Sequence, residues 1–198
     1  DEMLKVVSGV RNAVGEDIFI TVGIPGGFTE KQPIILEDKD FYDIARAGAD
    51  GLHTHKTTFE DLKEWVTKAH EYGLLVDAYI AHPDDKHLLG IPAKTPEEVS
   101  KTAQTMEQIG IDMIGMMTGM TYEGVSAGEI HPMIKERVLA MVDSVKRVPT
   151  LAEGGINLDN YRAFKGTGVN IIVVGTSFDQ LAANAVSGAV KQYISLGE

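Results

Sequence analysis

Six times in succession, a short apolar or β-branched run gives way to a segment with helical spacing. The runs are DIFITVG (17–23), DGLHTH (50–55), LLVDAYI (74–80), DMIGMMT (112–118), VPTLAEG (148–154) and NIIVVGT (170–176). Between and after them lie helical segments at 36–49, 57–73, 95–110, 130–146 and 159–165, and a last one at 180–195. Strict alternation of this kind leaves few solutions. Parallel strands joined by right-handed helical crossovers bury the runs at least cost. A doubly wound sheet is one such fold. A (β/α)8 TIM-type barrel fits better, because the strands recur without a break and the last two end in glycine.

Residues 1–15 read as a helix leading straight into the first strand, so six of eight βα units are evident and the first two strands are not. The expectation is a single barrel domain over 1–198 that lacks an N-terminal segment. An open arc of strands leaves edges for another chain to cover, which predicts a homo-oligomer.

Local signals support the individual elements. Thr57 or Thr58 can cap the helix at 57–73, and Phe59, Leu62, Val66 and Ala69 make its apolar stripe. Thr95, Pro96 and Glu98 spell a capped helix start. In LLVDAYI the even positions are all apolar, so the period of two sets Asp77 and Tyr79 together on the other face. The segment 23–38 reads as a loop entering a helix, with Pro25–Gly27 either a turn or a mobile active-site loop.

Composition narrows the partners. A net charge of −11 disfavours nucleic acid and anionic membrane surfaces. No cysteine is present, which excludes thiolate chemistry, and no apolar run approaches the ~18 residues of a membrane span. A cytoplasmic location is the expectation. An anionic substrate would need a locally favourable pocket, because the net field repels it.

In a barrel the chemistry sits at the C-terminal ends of the strands. The last two ends are EGGIN and VGTSF. Glycines there let backbone N–H groups approach an anion, and a following helix adds its dipole. Gly154, Gly155, Ile156, Gly175, Thr176 and Ser177 are the candidate phosphate ligands. Glu153 ends a buried strand, where a carboxylate is costly without a purpose. Asp77 and Thr118 are candidate ligands for substrate hydroxyls. His53, His55, Asp77 and His82 form a rival set that suits Zn²⁺, Mn²⁺ or Fe²⁺. Strand parity sets a tension: if Thr54 and Lys56 point into the barrel, His53 and His55 point away. No cofactor is required by this pattern; a divalent metal is the option the histidines leave open.

The segment RVPTLAEGGINLDNYRAFKGTGVNIIVVGTSF resembles the terminal units of the ribulose-phosphate-binding barrel superfamily. The ITVGI strand, the AGAD helix end, GLHTHK, the Met117–Thr121 turn and EGGIN together resemble the N-acetylmannosamine-6-phosphate 2-epimerase family. That resemblance implies proton transfer at carbon, with Lys56 and Glu153 as the acid/base pair and a phosphorylated small molecule as substrate. A second resemblance, strongest in the last ~80 residues, is to hexulose-6-phosphate synthase and the ketogulonate-phosphate decarboxylases. It implies aldol or decarboxylase chemistry with a divalent metal. A third outcome, a barrel that binds a phosphorylated ligand without turnover, also fits the glycine turns.

Overall fold

A computed structural model of the chain describes residues 2–24, 36–85, 88–119 and 129–196. The strands are β1 (Thr21–Ile24), β2 (Gly51–Thr54), β3 (Leu75–Ala81), β4 (Ile91–Pro92), β5 (Met113–Met117), β6 (Thr150–Glu153) and β7 (Ile171–Val173). The helices are α1 (Glu2–Val14), α2 (Asp38–Arg46), α3 (Phe59–Glu71), α4 (Pro96–Ile109), α5 (Pro132–Ser144), α6 (Tyr161–Lys165) and α7 (Thr176–Ser195). All six expected runs are strands and all pair in parallel. The two-residue β4, which also pairs with β3, was not expected from the sequence.

The sheet order β1-β2-β3-β5-β6-β7 never reverses. Right-handed crossovers that always step in one direction put every helix on the same face. The core confirms this. Val22, Leu52, Val76, Ala78, Ile80, Ile114, Met116 and Ala152 share one cluster with residues of α2 to α6. A doubly wound sheet would need helices on both faces, and this one has them on one. The opposite, concave face has its own small cluster of Tyr79, Ala81, Leu89 and Met117.

The helix signals hold with one correction. Thr58 caps α3 by accepting from the Asp61 N–H, and Thr95 with Glu98 forms the capping box of α4. The buried stripe of α3 is Leu62, Trp65, Val66 and Ala69, and Phe59 is exposed instead. Phe59 is the first residue of the helix, where the turn has not yet settled onto the sheet. Trp65 takes the place, packed edge-on against Phe41 of α2.

β1 and β7 are the two ends of the described arc, and α1 and α7 flank them. Arg11 fastens α1 through its charge on Asp50 and bonds to the carbonyls of Gly15, Ile18 and Gly48. α7 buries no side chain, and Phe178, Val186 and Ile194 stand exposed along it. Among the described residues, no helix is long and apolar enough to cross a membrane. Pro25–Gly27 and the last two residues of the Met117–Thr121 turn lie outside the described residues.

Candidate active site

The glycine turns after β6 and β7 face one another across a cavity of about 500 Å³. All six expected phosphate ligands line it: Gly154, Gly155, Ile156, Gly175, Thr176 and Ser177. Glu153 lines it too. Gly154 and Gly155 have φ of 104° and 69°, the left-handed region that a turn this tight requires. The loop beyond is braced by its own side chains. Asn160 Nδ2 donates to the Gly155 carbonyl, and Asn157 Oδ1 accepts from the Asp159 and Asn160 amides. At the start of α7 the Phe178 N–H is taken by the Gly175 carbonyl. The Thr176 and Ser177 amides are of the kind that helix geometry leaves without an intrahelical acceptor. As the first residues of a 20-residue helix, they carry the positive end of a long dipole.

Thr118 holds this corner together. Its N–H donates to the Glu153 carbonyl at 2.6 Å, and its hydroxyl lies 2.8 Å from that oxygen and 2.6 Å from the Gly154 carbonyl. Thr118 is buried, so its hydroxyl serves the backbone rather than an open pocket. Gly154 pays for the closeness with its side chain: a Cβ there would sit 2.5 Å from the Gly119 nitrogen.

The concave face carries a second polar group of residues. Register aligns His53 of β2 with Asp77 of β3, and both share the face of Tyr79. His53 Nδ1 lies 2.6 Å from Asp77 Oδ2, and His53 Nε2 lies 2.8 Å from His55 Nε2. Asp77 is 3% exposed, and its Oδ1 has no hydrogen-bond partner among the described residues. The Tyr79 ring packs 4.8 Å from the His53 ring and reaches across β5. Gly115 makes that crossing feasible, because a Cβ there would fall 2.3 Å from Tyr79 Cε1. Burial, then the charges of Glu153 and Asp77 and polar contact with them, push the Tyr79 hydroxyl's pKa up. Tyr79 thus links Asp77 to Glu153.

The parity expected from Lys56 is reversed. Thr54 is fully buried on the helix side, and His53 and His55 face the concave side. Lys56 Nζ sits 5.2 Å over the Trp65 ring, in a different cavity lined by Asp38, Asp61, Glu64 and Lys68 of the helix layer. Lys56 and Glu153 line separate cavities, and the structure does not bring them together. His82 also parts from the other histidines. It is buried, its Nδ1 accepts from the Asp84 N–H, and burial followed by the Arg137 charge lowers its pKa. Among the described residues, no three His, Asp or Glu side chains are grouped so as to hold a metal ion.

The two concave histidines are driven apart electrically. Burial acts to lower the His53 pKa, but the hydrogen bond and charge of Asp77, with the charge of Glu153, more than offset it and the net shift is upward. Burial and the charge of His53 lower His55 to about 4. The signs differ for stability. Protonated His53 contributes fully below the unfolded value of ~6.5, and its contribution is lost as pH rises through the folded value. Neutral His55 contributes above ~6.5, and that contribution is lost as pH falls toward about 4. Between these limits the wild type is expected to lose stability on acidification more steeply than His55→Gln, as urea unfolding at a series of pH values will show. Parallel curves would contradict it.

No family model matches the chain, and no curated protein matches it. Solved structures do. A mutant tryptophan synthase alpha-subunit from the hyperthermophile Pyrococcus furiosus superposes with a TM-score of 0.67 at 12% identity, over 91% of this chain and 64% of that one. A second mutant of that subunit gives 0.65 at 15% identity, over 89% and 62%. The fold is a partial (β/α) barrel. The structure of native KDPGal also matches this barrel, with a TM-score of 0.54 at 15% identity, over 86% of this chain and 63% of that one. The chain spans 62–64% of the length of these synthase subunits. At such identities the likeness carries the fold. In this fold ligands bind at the C-terminal ends of the strands, the end of β6 at which Glu153 lies.

Proposed function

We propose that this chain is an enzyme acting on a phosphorylated small molecule, and that it moves a proton at a carbon beside a carbonyl, as in epimerisation or isomerisation of a sugar phosphate. One observation carries this: a single cavity joins the Glu153 carboxylate to the amides of both glycine turns. The amides and the α7 dipole supply the local positive potential that an anion needs against a net charge of −11. A phosphate anchored there leaves the rest of a small substrate within reach of a carboxylate. A partly buried carboxylate is a competent base at carbon once water is displaced. Lys56, which lines the other cavity, has no part in this proposal. The resemblance to the epimerase family supports the reaction class through Glu153 alone.

Gly175→Asp tests the anion site. Gly175 has no neighbour within 4 Å of an added Cβ and a negative φ, so the fold tolerates a side chain there. A carboxylate at the mouth of α7 is expected to weaken binding of inorganic phosphate and of fructose 6-phosphate by roughly tenfold or more, a cost of about 1.4 kcal/mol. Calorimetric titration reads it. Equal affinity in wild type and variant, or no binding to wild type, would overturn the phosphate site. The reaction is tested by incubating the wild type with aldose, ketose and acetamido-sugar phosphates in D2O and following deuterium uptake at carbon.

A further inference from the structure

We infer that Asn160 is a positioning residue of the phosphate site proposed above: it holds the Gly155 carbonyl aside, so that the Ile156 N–H faces the cavity as a donor to the anion. The inference rests on that reading, and names the loop amide that serves the site and the side chain that aims it. Ile156 lines the cavity, yet its side chain belongs to the core cluster and is 4% exposed. What it offers the cavity is therefore main chain. Asn160 Nδ2 donates to the Gly155 carbonyl at 3.0 Å. That carbonyl and the Ile156 N–H belong to one trans peptide group, so they point in opposite directions. Fixing the first fixes the second. Among the described residues, no backbone carbonyl takes the Ile156 N–H.

The next amides of the loop are already spent. The Asn157 N–H donates to Asn160 Oδ1 at 2.9 Å, and the Asp159 and Asn160 N–H groups donate to Asn157 Oδ1 at 2.9 and 3.2 Å. Asn160 thus works with both ends of its side chain. Its oxygen takes up the Asn157 amide, and its nitrogen turns the peptide whose amide is left over. The Gly155 carbonyl does not need this bond for its own sake, because Gly155 is exposed and water would satisfy it. The bond sets a direction instead. Gly154 and Gly155 permit the turn, but glycine leaves a peptide freer to rotate than any other residue does. Asn160 removes that freedom before the anion arrives, which is how a preorganised donor gains affinity. Asn160 itself does not line the cavity, so it acts through the peptide and not on the ligand. The anion is then gripped from two sides, by Ile156 after β6 and by the Thr176 and Ser177 amides of α7.

Amide ¹H–¹⁵N spectra of the wild type, titrated with inorganic phosphate, test this without turnover. Ile156 is expected to show the largest shift in the 154–160 loop and Asn157 a small one. Asn160→Ala is expected to weaken phosphate binding by roughly tenfold or more, the size of one hydrogen bond to a charged group. The Ile156 shift is expected to vanish in it while the Thr176 and Ser177 shifts remain. Asn157→Ala removes a brace of the same loop and leaves the Asn160–Gly155 bond, so it is expected to keep the Ile156 shift. Equal losses in the two variants, or an Asn160→Ala protein that unfolds cooperatively in urea and keeps both affinity and shift, would overturn the positioning role. Should Asn160→Ala not fold, the wild-type titration decides alone. Wild-type shifts at Thr176 and Ser177 with Ile156 unmoved would overturn the inference and leave the phosphate site standing. No shift at either turn would overturn both.

Discussion

Replacing Gly154 with alanine is expected to destabilise the fold by roughly 2–4 kcal/mol, while the same change at Gly155 costs about 1–2. The two glycines are neighbours and both have positive φ, 104° and 69°. Backbone strain alone would rank them together. What separates them is what a methyl group meets. At Gly155 an added Cβ has nothing within 4 Å. At Gly154 it sits 2.5 Å from the Gly119 nitrogen and 2.8 Å from the Gly119 Cα. Those are backbone atoms and have no rotamer to escape into. Thr118 prevents the loops from parting, because its amide and hydroxyl tie the β5 end to the Glu153 and Gly154 carbonyls. Relief of the clash therefore breaks hydrogen bonds in a buried corner. Urea unfolding of both variants measures the gap. Equal midpoints would show that the turn, and not the contact between strand ends, selects glycine.

The pattern of what the sequence revealed follows from range. Helix caps at Thr58 and Thr95 depend on residues three apart, so they are visible in the letters. The glycine turns depend on local geometry, and their pairing across one cavity needs only that the last two strands be adjacent, as they are. β3 has seven residues, enough to show its phase, and Asp77 and Tyr79 do share the concave face. β2 has four, with Leu52 its single large apolar side chain. Nothing within those four residues fixes which face looks inward. The register with Asp77, 24 residues away, does that. Lys56, which the family resemblance implies at the barrel mouth, lies over Trp65. Gly115 gave no local signal either, since its need is set by a tyrosine on the neighbouring strand. β4 has two residues and no periodicity to detect.

Glu153→Gln is expected to lower deuterium exchange at carbon by about 10²–10⁴-fold, with affinity for fructose 6-phosphate unchanged. The substitution keeps shape and removes only the capacity to accept a proton at neutral pH. The proposed phosphate contacts come from amides of the glycine turns, which the change does not touch. Stability gives the control. Glu153 Oε2 is buried and has no hydrogen-bond partner among the described residues. A carboxylate in that setting costs free energy that a neutral amide avoids, so the variant is expected to unfold at an equal or higher urea concentration. A structural glutamate would behave in the opposite way, losing stability and sparing exchange. The neighbouring Tyr79 sharpens the comparison, because its hydroxyl is held protonated partly by the Glu153 charge. With glutamine at position 153 that charge is gone, and burial, the larger cause, with the charge of Asp77 still holds the Tyr79 hydroxyl protonated.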